Sequence, residues 1–380
     1  MATNSDGVPQ AYFEPPNSLL DMSSQTYNGL LAIGTLATTS VLFTSALLAF
    51  ITWRMIAWKS HYTSAVGRNQ SVVLIYQLVL ADFLQSLGFL VSFHWASNHR
   101  IIGPNGACFA QGLLIQVGDV ASALFVLAIA VHTTYQVVLS RSVTYRMFIG
   151  CILGLWSFAL LLTCLAPVVG GRYIFLRAGV WCWISSDHDN MRLLLHYLWI
   201  FIVQFGSIVT YVTGFWYLYR SKQPGAIRIN GASDKAIRKA STAMLAYALV
   251  YTILTLPLAA GRMAAMSQDT LPDEYYLFAG ALFTSCGWVD TILYAITRRS
   301  LLFKELDAYN GQSTPEYAHS SRRMPRQGST ESILAQTGFG QPSGIMMDRT
   351  VKIELDDLES QASHEHEGKG YYVSAKATKK

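Results

Sequence analysis

The sequence predicts an all-α membrane protein, a bundle of seven transmembrane helices followed by a polar tail. Two observations lead to this fold class. Hydrophobic residues make up 52% of the chain and charged residues only 13%, and the apolar residues are gathered in long stretches separated by short polar loops. Because lipid cannot satisfy the backbone polar groups of an open strand, stretches of this length are expected to be helices.

Each apolar stretch is long enough to cross a bilayer, which takes about 20 mostly apolar residues. The predicted spans are residues 30–53, 71–96, 109–139, 147–171, 193–219, 240–261 and 275–297. They divide the chain into an N-terminal segment (1–28), a seven-helix domain that ends in a short juxtamembrane helix (29–305) and a tail (306–380). The tail is expected to be disordered, because it is rich in Ser, Thr, Gln, Gly and charged residues.

The basic residues predict the orientation of the bundle. The loops after spans one, three and five and the segment after span seven hold most of them: Arg54, Lys59, Arg68, Arg141, Arg146, Arg220, Lys222, Arg228, Lys235, Arg238, Lys239, Arg298, Arg299 and Lys304. The opposite loops hold fewer: Arg100, Arg172, Arg177, Arg192 and Arg262. The positive-inside rule then places the N-terminus outside the cell and the tail in the cytosol, as in a multi-pass protein of the plasma membrane. Since the basic residues follow this rule, the net charge of +5 is not taken to indicate nucleic acid.

The location of the cysteines predicts one disulfide. Cys151, Cys164 and Cys286 lie within spans, where cysteine is typical of small buried apolar residues. Cys108 lies at the outer end of span three and Cys182 in the second outer loop. Both therefore face the oxidising side of the membrane, where a disulfide persists. Such a bond would hold the loop over the mouth of the bundle.

One of the three carboxylates inside the predicted spans, Asp119, is the leading candidate for ligand binding. An ionisable residue inside a membrane indicates function by default. Asp119 lies about three helical turns below Cys108, with Gln116 and Ser122 on either side. Ligand contact and a structural, hydrogen-bonded carboxylate are both open readings of this residue. The full predicted ligand site is Asp119, Gln116, Gln111, His94, Trp181 and Trp183.

The other two carboxylates, Asp82 and Asp290, lie in the cytosolic halves of spans two and seven. They are expected to form a buried polar cluster with Tyr294, which follows Asp290 by one helical turn, with water or a sodium ion between them. Pro257 removes one backbone hydrogen bond from span six, so it predicts either a pivot or a purely structural kink. These four residues form the predicted intramembrane switch.

Several short motifs in these spans resemble those of G-protein-coupled receptors. Leu80-Ala81-Asp82 and the run Asp-Thr-Ile-Leu-Tyr at residues 290–294 resemble motifs of the rhodopsin-like class, with Thr in place of Pro in the second. Gly118-Asp119-Val120-Ala121-Ser122 and Trp181-Cys182-Trp183-Ile184 resemble the fungal group that includes glucose-sensing and cyclic-AMP-receptor-like proteins. His132-Thr133-Thr134 departs from the Asp-Arg-Tyr of rhodopsin-like receptors, so the inactive-state lock of that class is not carried over.

The resemblance implies a receptor that binds a small polar ligand from outside, such as a sugar or a cyclic-AMP-like molecule. Ligand binding would rearrange the bundle and promote nucleotide exchange on a heterotrimeric Gα subunit, towards cyclic AMP signalling and nutrient sensing. The basic inner loops would meet the G protein, although they could equally contact anionic lipid. The residues assigned to coupling are Arg141, Arg146, Arg220, Lys222, Arg228, Lys235, Arg238 and Lys239. Kinase sites are predicted in the tail at Ser313, Thr314, Ser329 and Thr330.

Other classes of membrane protein fit the sequence less well. His94, His132 and His196 lie in different spans and at different depths, so they cannot converge on a metal, and neither an enzyme, a metal site nor a cofactor is expected. The last span, 275–297, has no lysine for a retinal Schiff base. A seven-span transporter of a small polar solute is the main alternative, but the spans show no repeated halves.

Overall fold

A computed structural model of the chain describes residues 9–57, 69–139, 143–171, 173–220, 250–265 and 271–296. Its seven apolar helices are α1 (Ser24–Ile56), α2 (Gln70–Asn98), α3 (Gly106–Leu139), α4 (Tyr145–Gly170), α5 (Leu198–Arg220), α6 (Val250–Ala265) and α7 (Asp273–Ile296). Within these ranges, six candidate spans are long and apolar enough to cross a membrane, and α6 is shorter in the part described. The predicted seven-helix bundle is confirmed.

Helix α3 is the central helix of the bundle. It packs against α2, α4 and α5 and against a β-hairpin between α4 and α5. Of its most apolar window, 67% is buried inside the protein, whereas the corresponding share for α4 is 28%. The apolar surface of α4 therefore faces outward, as expected of a helix that contacts lipid on one side.

The backbones of α2 and α3 approach closely at Gly118. A Cβ atom added there would lie 2.6 Å from the backbone nitrogen of Gln85 and 2.7 Å from its Cα. Small residues allow this kind of close helix contact inside a membrane. The contact fixes the spacing of the two helices beside Asp82 and Asp119.

Two helices are interrupted near the end of the bundle that holds the β-hairpin, which we call the hairpin end. Helix α2 breaks at Val91 between its segments Gln70–Leu90 and Ser92–Asn98. Helix α5 is preceded by a 3-10 turn (Ser186–His188), a short helix (Asp189–Arg192) and a π-helical turn (Leu193–Tyr197). A π turn holds one residue more than an α-helical turn, and such turns are frequent at functional sites.

The loop between α4 and α5, predicted only as a loop, forms a two-stranded antiparallel hairpin. Its strands are β1 (Phe175–Ala178) and β2 (Trp181–Ile184), and Ala178 pairs with Trp181 across the turn. Gly179 begins the turn with φ of 78°, which a residue with a side chain adopts only with strain. All four residues of β2 are buried, so this strand is part of the core.

The N-terminal segment lies against the hairpin end. Leu19 forms an isolated β-bridge with Ile101, and the Ser18 hydroxyl donates to the carbonyl of Gly103 at 3.1 Å. Arg177 of β1 donates through Nη1 to the Pro16 carbonyl at 3.4 Å. Burial lowers the pKa of the Arg177 guanidinium, and the negative charge of Asp273 opposes this shift. Helix α1 already begins within the predicted segment 1–28, where Ser23 caps it by accepting from the backbone of Thr26.

Several predictions lie outside the described residues. Residues 221–249, which include Lys222, Arg228, Lys235, Arg238 and Lys239, are not described, and neither is Arg141. The juxtamembrane helix and the tail lie beyond residue 296, together with the proposed phosphorylation sites Ser313, Thr314, Ser329 and Thr330. The orientation of the bundle remains a prediction.

Candidate functional site

The hairpin is attached to the rest of the bundle by a disulfide. Cys108, near the start of α3, is bonded to Cys182 of β2, and both residues are fully buried. This is the bond predicted from the location of the two cysteines. It holds β2 over the space between the helices, so the indole rings of Trp181 and Trp183 point into the bundle core.

Gln111 of α3 gives the hairpin a second attachment. Its side-chain oxygen accepts a hydrogen bond from Trp95 Nε1 at 2.8 Å and another from the backbone N–H of Cys182 at 2.9 Å. Gln111 is 0% exposed. Its oxygen therefore joins α2, α3 and β2 in one buried contact, and the residue serves the structure rather than facing a cavity.

Gln116 makes a similar connection one to two turns further along α3. Its side-chain oxygen accepts from Trp183 Nε1 at 2.9 Å, and its nitrogen donates to the carbonyl of Leu195 at 2.9 Å. Leu195 lies in the π turn that precedes α5. Gln116 thus sets the position of the Trp183 ring and of the first turn of α5 at once.

A small cavity lies beneath the hairpin, with about 30 Å³ of space open to the centre of a water-sized molecule. Helices α2, α3, α5, α6 and α7 and strand β2 all contribute to its wall. Most of the lining is aromatic or aliphatic: Phe89, Ile115, Trp181, Trp183, Tyr197 and Phe283. Pockets of this kind, mostly apolar with a few convergent polar groups, are typical ligand sites.

Two of the polar groups at the cavity are a carboxylate and an imidazole. Asp119 Oδ2 lies 3.9 Å from His196 Nε2, which is longer than a hydrogen bond. Asp119 is 4% exposed and His196 6%. Within the described part of the chain, neither the other carboxylate oxygen, Oδ1, nor the other ring nitrogen, Nδ1, has a hydrogen-bond partner. Buried polar atoms are normally paired, so each of these two atoms has capacity for a further hydrogen bond.

The third charged group of the lining is Arg262 of α6. Its guanidinium lies 5.3 Å from the Trp181 ring and 4.6 Å from the Tyr276 ring, measured to the ring centres. Nη2 donates to the carbonyl of Ala178 at 2.7 Å. Arg262 therefore connects α6 to both strands of the hairpin and to α7 at the hairpin end of the cavity.

A second buried polar cluster lies deeper in the bundle. The Ser122 hydroxyl donates to Asp82 Oδ1 at 2.7 Å, and the Ser86 hydroxyl donates to the backbone carbonyl of Asp82 at 2.7 Å. The carboxyl groups of Asp82 and Asp290 are adjacent. Tyr294 is also buried. Helices α2, α3 and α7 thus meet through polar side chains at mid-bundle.

Comparison with known proteins gives one informative relative. The chain is similar to a receptor. It is 28% identical over 190 residues to the ascaroside receptor GPR2 of Arthrobotrys oligospora, and the match covers 47% of this chain. The chain spans only 44% of that receptor's length. No protein-family model matches the sequence. The relative is named as a receptor and not as an enzyme, which agrees with the expectation that this chain is not an enzyme.

The structure brings together three of the six residues predicted for the ligand site. Asp119, Trp181 and Trp183 line the cavity. Gln116 lies directly behind Trp183, and Gln111 lies in the hairpin attachment described above. His94 is exposed, and its carbonyl accepts from the side chain of Asn98 at 2.7 Å, away from the cavity lining.

Sequence reasoning missed Arg262 and the role of His196. Arg262 was counted among the loop charges, because the apolar stretch ends at residue 261, whereas α6 continues to Ala265. One available signal was the spacing of Thr255, Leu258, Ala259 and Arg262, which places them on one face of a helix. All four line the cavity. His196 was considered only as a metal ligand, and its proximity to Asp119 depends on the π turn.

Helix α6 continues through Pro257. The Pro257 carbonyl accepts from the Tyr275 hydroxyl at 2.6 Å, and the Gly261 carbonyl accepts from the Tyr276 hydroxyl at 3.1 Å. These two bonds connect the hairpin-end half of α6 to α7.

Of the residues assigned to G-protein coupling, two are described. Arg146 is exposed at the start of α4, and Arg220, at the end of α5, lies with its guanidinium 4.6 Å from the centre of the Trp216 ring. Both lie at the ends of their helices away from the hairpin. Among the described residues, no group of three or more His, Cys, Asp or Glu side chains could hold a metal ion.

Proposed function

We propose that the protein is a G-protein-coupled receptor that binds a small molecule beneath the hairpin. The cavity carries this proposal, since a disulfide-bonded hairpin covers it and its lining includes Asp119 and His196, which each have a buried polar atom with no partner among the described residues. The similarity to an ascaroside receptor supports the class of function. In this proposal the hairpin end faces the outside of the cell and the protein lies in the plasma membrane, in agreement with the distribution of Lys and Arg.

The connections around the cavity suggest how a ligand would act on the bundle. Arg262 joins α6 to the hairpin, and the tyrosine hydroxyls at 275 and 276 join α6 to α7. A ligand that changes the contacts of Arg262 therefore alters the position of α6 relative to its neighbours. Movement at the other end of α6 would open a surface for the Gα subunit beside Arg146 and Arg220. Exchange of GDP for GTP on that subunit, towards cyclic AMP signalling, is the proposed output.

The test is nucleotide exchange by purified Gα subunits in the presence of the full chain in nanodiscs. Sugars, amino acids and cyclic nucleotides are added one class at a time, and binding of a GTP analogue is followed. We expect exchange above that of empty nanodiscs, and an increase with one ligand class. The Cys108→Ser variant should lose the ligand response, because β2 is no longer bonded to α3.

A matched cysteine variant separates this effect from a general effect of losing a thiol. Cys164 is a free, exposed cysteine on α4, so Cys164→Ser should respond like the unmodified chain. Absence of exchange with every Gα subunit, together with solute uptake by liposomes that contain the protein, would replace the receptor with the transporter.

A further inference from the structure

The charge of the cavity lining indicates what kind of ligand the proposed receptor takes. Arg262 is 5% exposed and lines the cavity. Within the described ranges, its guanidinium donates one hydrogen bond, to the Ala178 carbonyl. Among the described residues, no carboxylate forms an ion pair with it. Burying a charge without a counter-ion is costly, so this guanidinium is suited to receive a negative charge.

A second arginine strengthens the positive character of this end of the cavity. Arg192 is buried beside the hairpin, donates through Nε to the Ile184 carbonyl at 2.9 Å and lies 5.7 Å from the centre of the Trp183 ring. Its ion pair with Asp189, at 3.4 Å, compensates the charge of Arg192 only weakly, because the Asp189 side chain is more exposed to solvent. The hairpin end therefore carries more positive than negative charge in its buried part.

The part of the cavity beside Asp119 and His196 has a different chemistry. Asp119 lies about three turns, roughly 16 Å, below Cys108 along α3. Its free oxygen can accept a hydrogen bond, and Nδ1 of His196 can donate one when it carries the proton. A hydroxyl group can do both at once, since it donates one hydrogen bond and accepts another. This pair offers no guanidinium or ammonium group, so the anionic group belongs at Arg262.

We propose that the cavity binds a compact amphiphilic carboxylate. Its carboxylate pairs with Arg262, its apolar body lies between the rings of Phe89, Trp183 and Phe283, and its hydroxyl group meets Asp119 and His196. A carboxylate matches the planar guanidinium with two parallel hydrogen bonds, and one negative charge balances one arginine. The biological meaning of this assignment rests on the proposed receptor function. Binding itself can be measured without a G protein.

The first experiment varies the ligand and leaves the protein unchanged. The full chain in nanodiscs is titrated by calorimetry at neutral pH with para-hydroxyphenylpropanoate and with its uncharged amide. We expect the acid to bind about tenfold more tightly than the amide, the size of effect that a charge-assisted pair gives. Tyramine, which carries a positive charge in place of the carboxylate, should not bind. Phenylpropanoate, which lacks the hydroxyl, should bind more weakly than the hydroxylated acid.

The second experiment assigns the preference to Arg262. In Arg262→Gln the acid and the amide should bind equally, whereas Arg100→Gln, which removes an exposed charge from the same end of the bundle, should keep the tenfold preference. Arg262→Lys keeps the charge and should retain part of the preference. Comparing its melting temperature with that of Arg262→Gln shows whether loss of the bond to Ala178 has unfolded the hairpin.

Three outcomes would overturn the assignment: equal binding of acid and amide by the unmodified chain, no binding of the acid at millimolar concentration, or a preference that survives in Arg262→Gln. They differ from failure of the receptor function. Nucleotide exchange without binding of carboxylates would leave the receptor in place and remove this ligand class. Carboxylate binding without exchange on any Gα subunit would support this ligand class and contradict the receptor function.

Discussion

The two buried polar clusters of the bundle differ in what surrounds them: Asp119 and His196 line the cavity, whereas Asp82 and Asp290 do not. At mid-bundle, Asp82 Oδ1 accepts from Ser122, Asp82 Oδ2 has no hydrogen-bond partner among the described residues, and the neighbouring helices α1 and α7 are joined by the Ser40 hydroxyl, which donates to the Thr284 carbonyl at 2.7 Å. At the cavity, Asp119 and His196 each keep an atom without a protein partner in the described residues. The difference teaches that the first cluster joins helices inside the bundle, whereas the second lies at a cavity that a molecule from outside the chain could enter.

The clusters are close to each other because α2 and α3 touch between them. Gly118 allows this contact, and it is the residue before Asp119. Any change that separates the two helices here displaces Asp82 of α2 from Ser122 of α3. Three predictions, from the largest effect to the smallest, examine whether the clusters differ in the way described.

Gly118→Ala should have the largest effect. Its new methyl group would lie 2.6 Å from the Gln85 backbone nitrogen, so α2 and α3 must move apart, at a cost of up to about 3 kcal/mol. Gly154→Ala is the matched control, because a Cβ atom at that position on α4 meets nothing within 4 Å. The measurement is the melting temperature in a detergent or nanodisc. Equal melting temperatures for the two variants would contradict the close α2–α3 contact.

Gln111→Ala should have an intermediate effect. It leaves the indole N–H of Trp95 and the backbone N–H of Cys182 without their acceptor, which costs about 2 kcal/mol in all. Gln77 accepts a single bond, from Trp156 Nε1 at 2.9 Å, and is half-buried, so Gln77→Ala should destabilise less. Thermal unfolding of both variants checks this order. If Gln111→Ala melted like the unmodified chain, the glutamine would not hold the hairpin.

The smallest effects on stability are expected for substitutions of Asp82 and Asp119, one aspartate from each cluster. Asp82→Ala leaves the Ser122 hydroxyl without an acceptor and should destabilise the bundle by about 1 kcal/mol. Asp119→Asn removes no hydrogen bond within the described chain, so stability should change by less than about 0.5 kcal/mol while binding of para-hydroxyphenylpropanoate changes. Melting temperature and calorimetry are measured on both variants. A greater loss of stability in Asp119→Asn than in Asp82→Ala would reverse the comparison.

Hydropathy was sufficient to predict the bundle, and the location of the cysteines was sufficient to predict the disulfide. The hydropathy of a long stretch predicts a spanning helix, and the oxidising side of the membrane predicts a disulfide. Neither prediction requires knowing which atoms are in contact. Asp119, Trp181 and Trp183 were also predicted for a ligand site, because an intramembrane carboxylate and the cysteine-flanking tryptophans are conspicuous in the sequence, and all three line the cavity.

The features that could not be predicted from the sequence depend on the register of the β-strands and on the residues at which helices end. Gln111 was predicted to contact a ligand, but whether a glutamine faces the cavity or a neighbouring strand depends on how β2 pairs, and a loop with no obvious strand pattern does not reveal that. Arg262 was read as a loop charge because an apolar stretch ends one residue earlier. Helices often continue past the apolar residues when a long polar side chain finds a partner near the membrane surface.

Because of the π turn at Leu193–Tyr197, the arrangement of the site depends on the number of residues in this segment as well as on their identity. The turn contains one residue beyond the α-helical number, so the segment before it is rotated by about 100° relative to a continuous helix. Loss of a single residue here would carry Arg192 around the helix axis and away from Ile184, with every side chain chemically unchanged. Relatives that differ by one residue in this turn would therefore present a different set of groups to the same cavity.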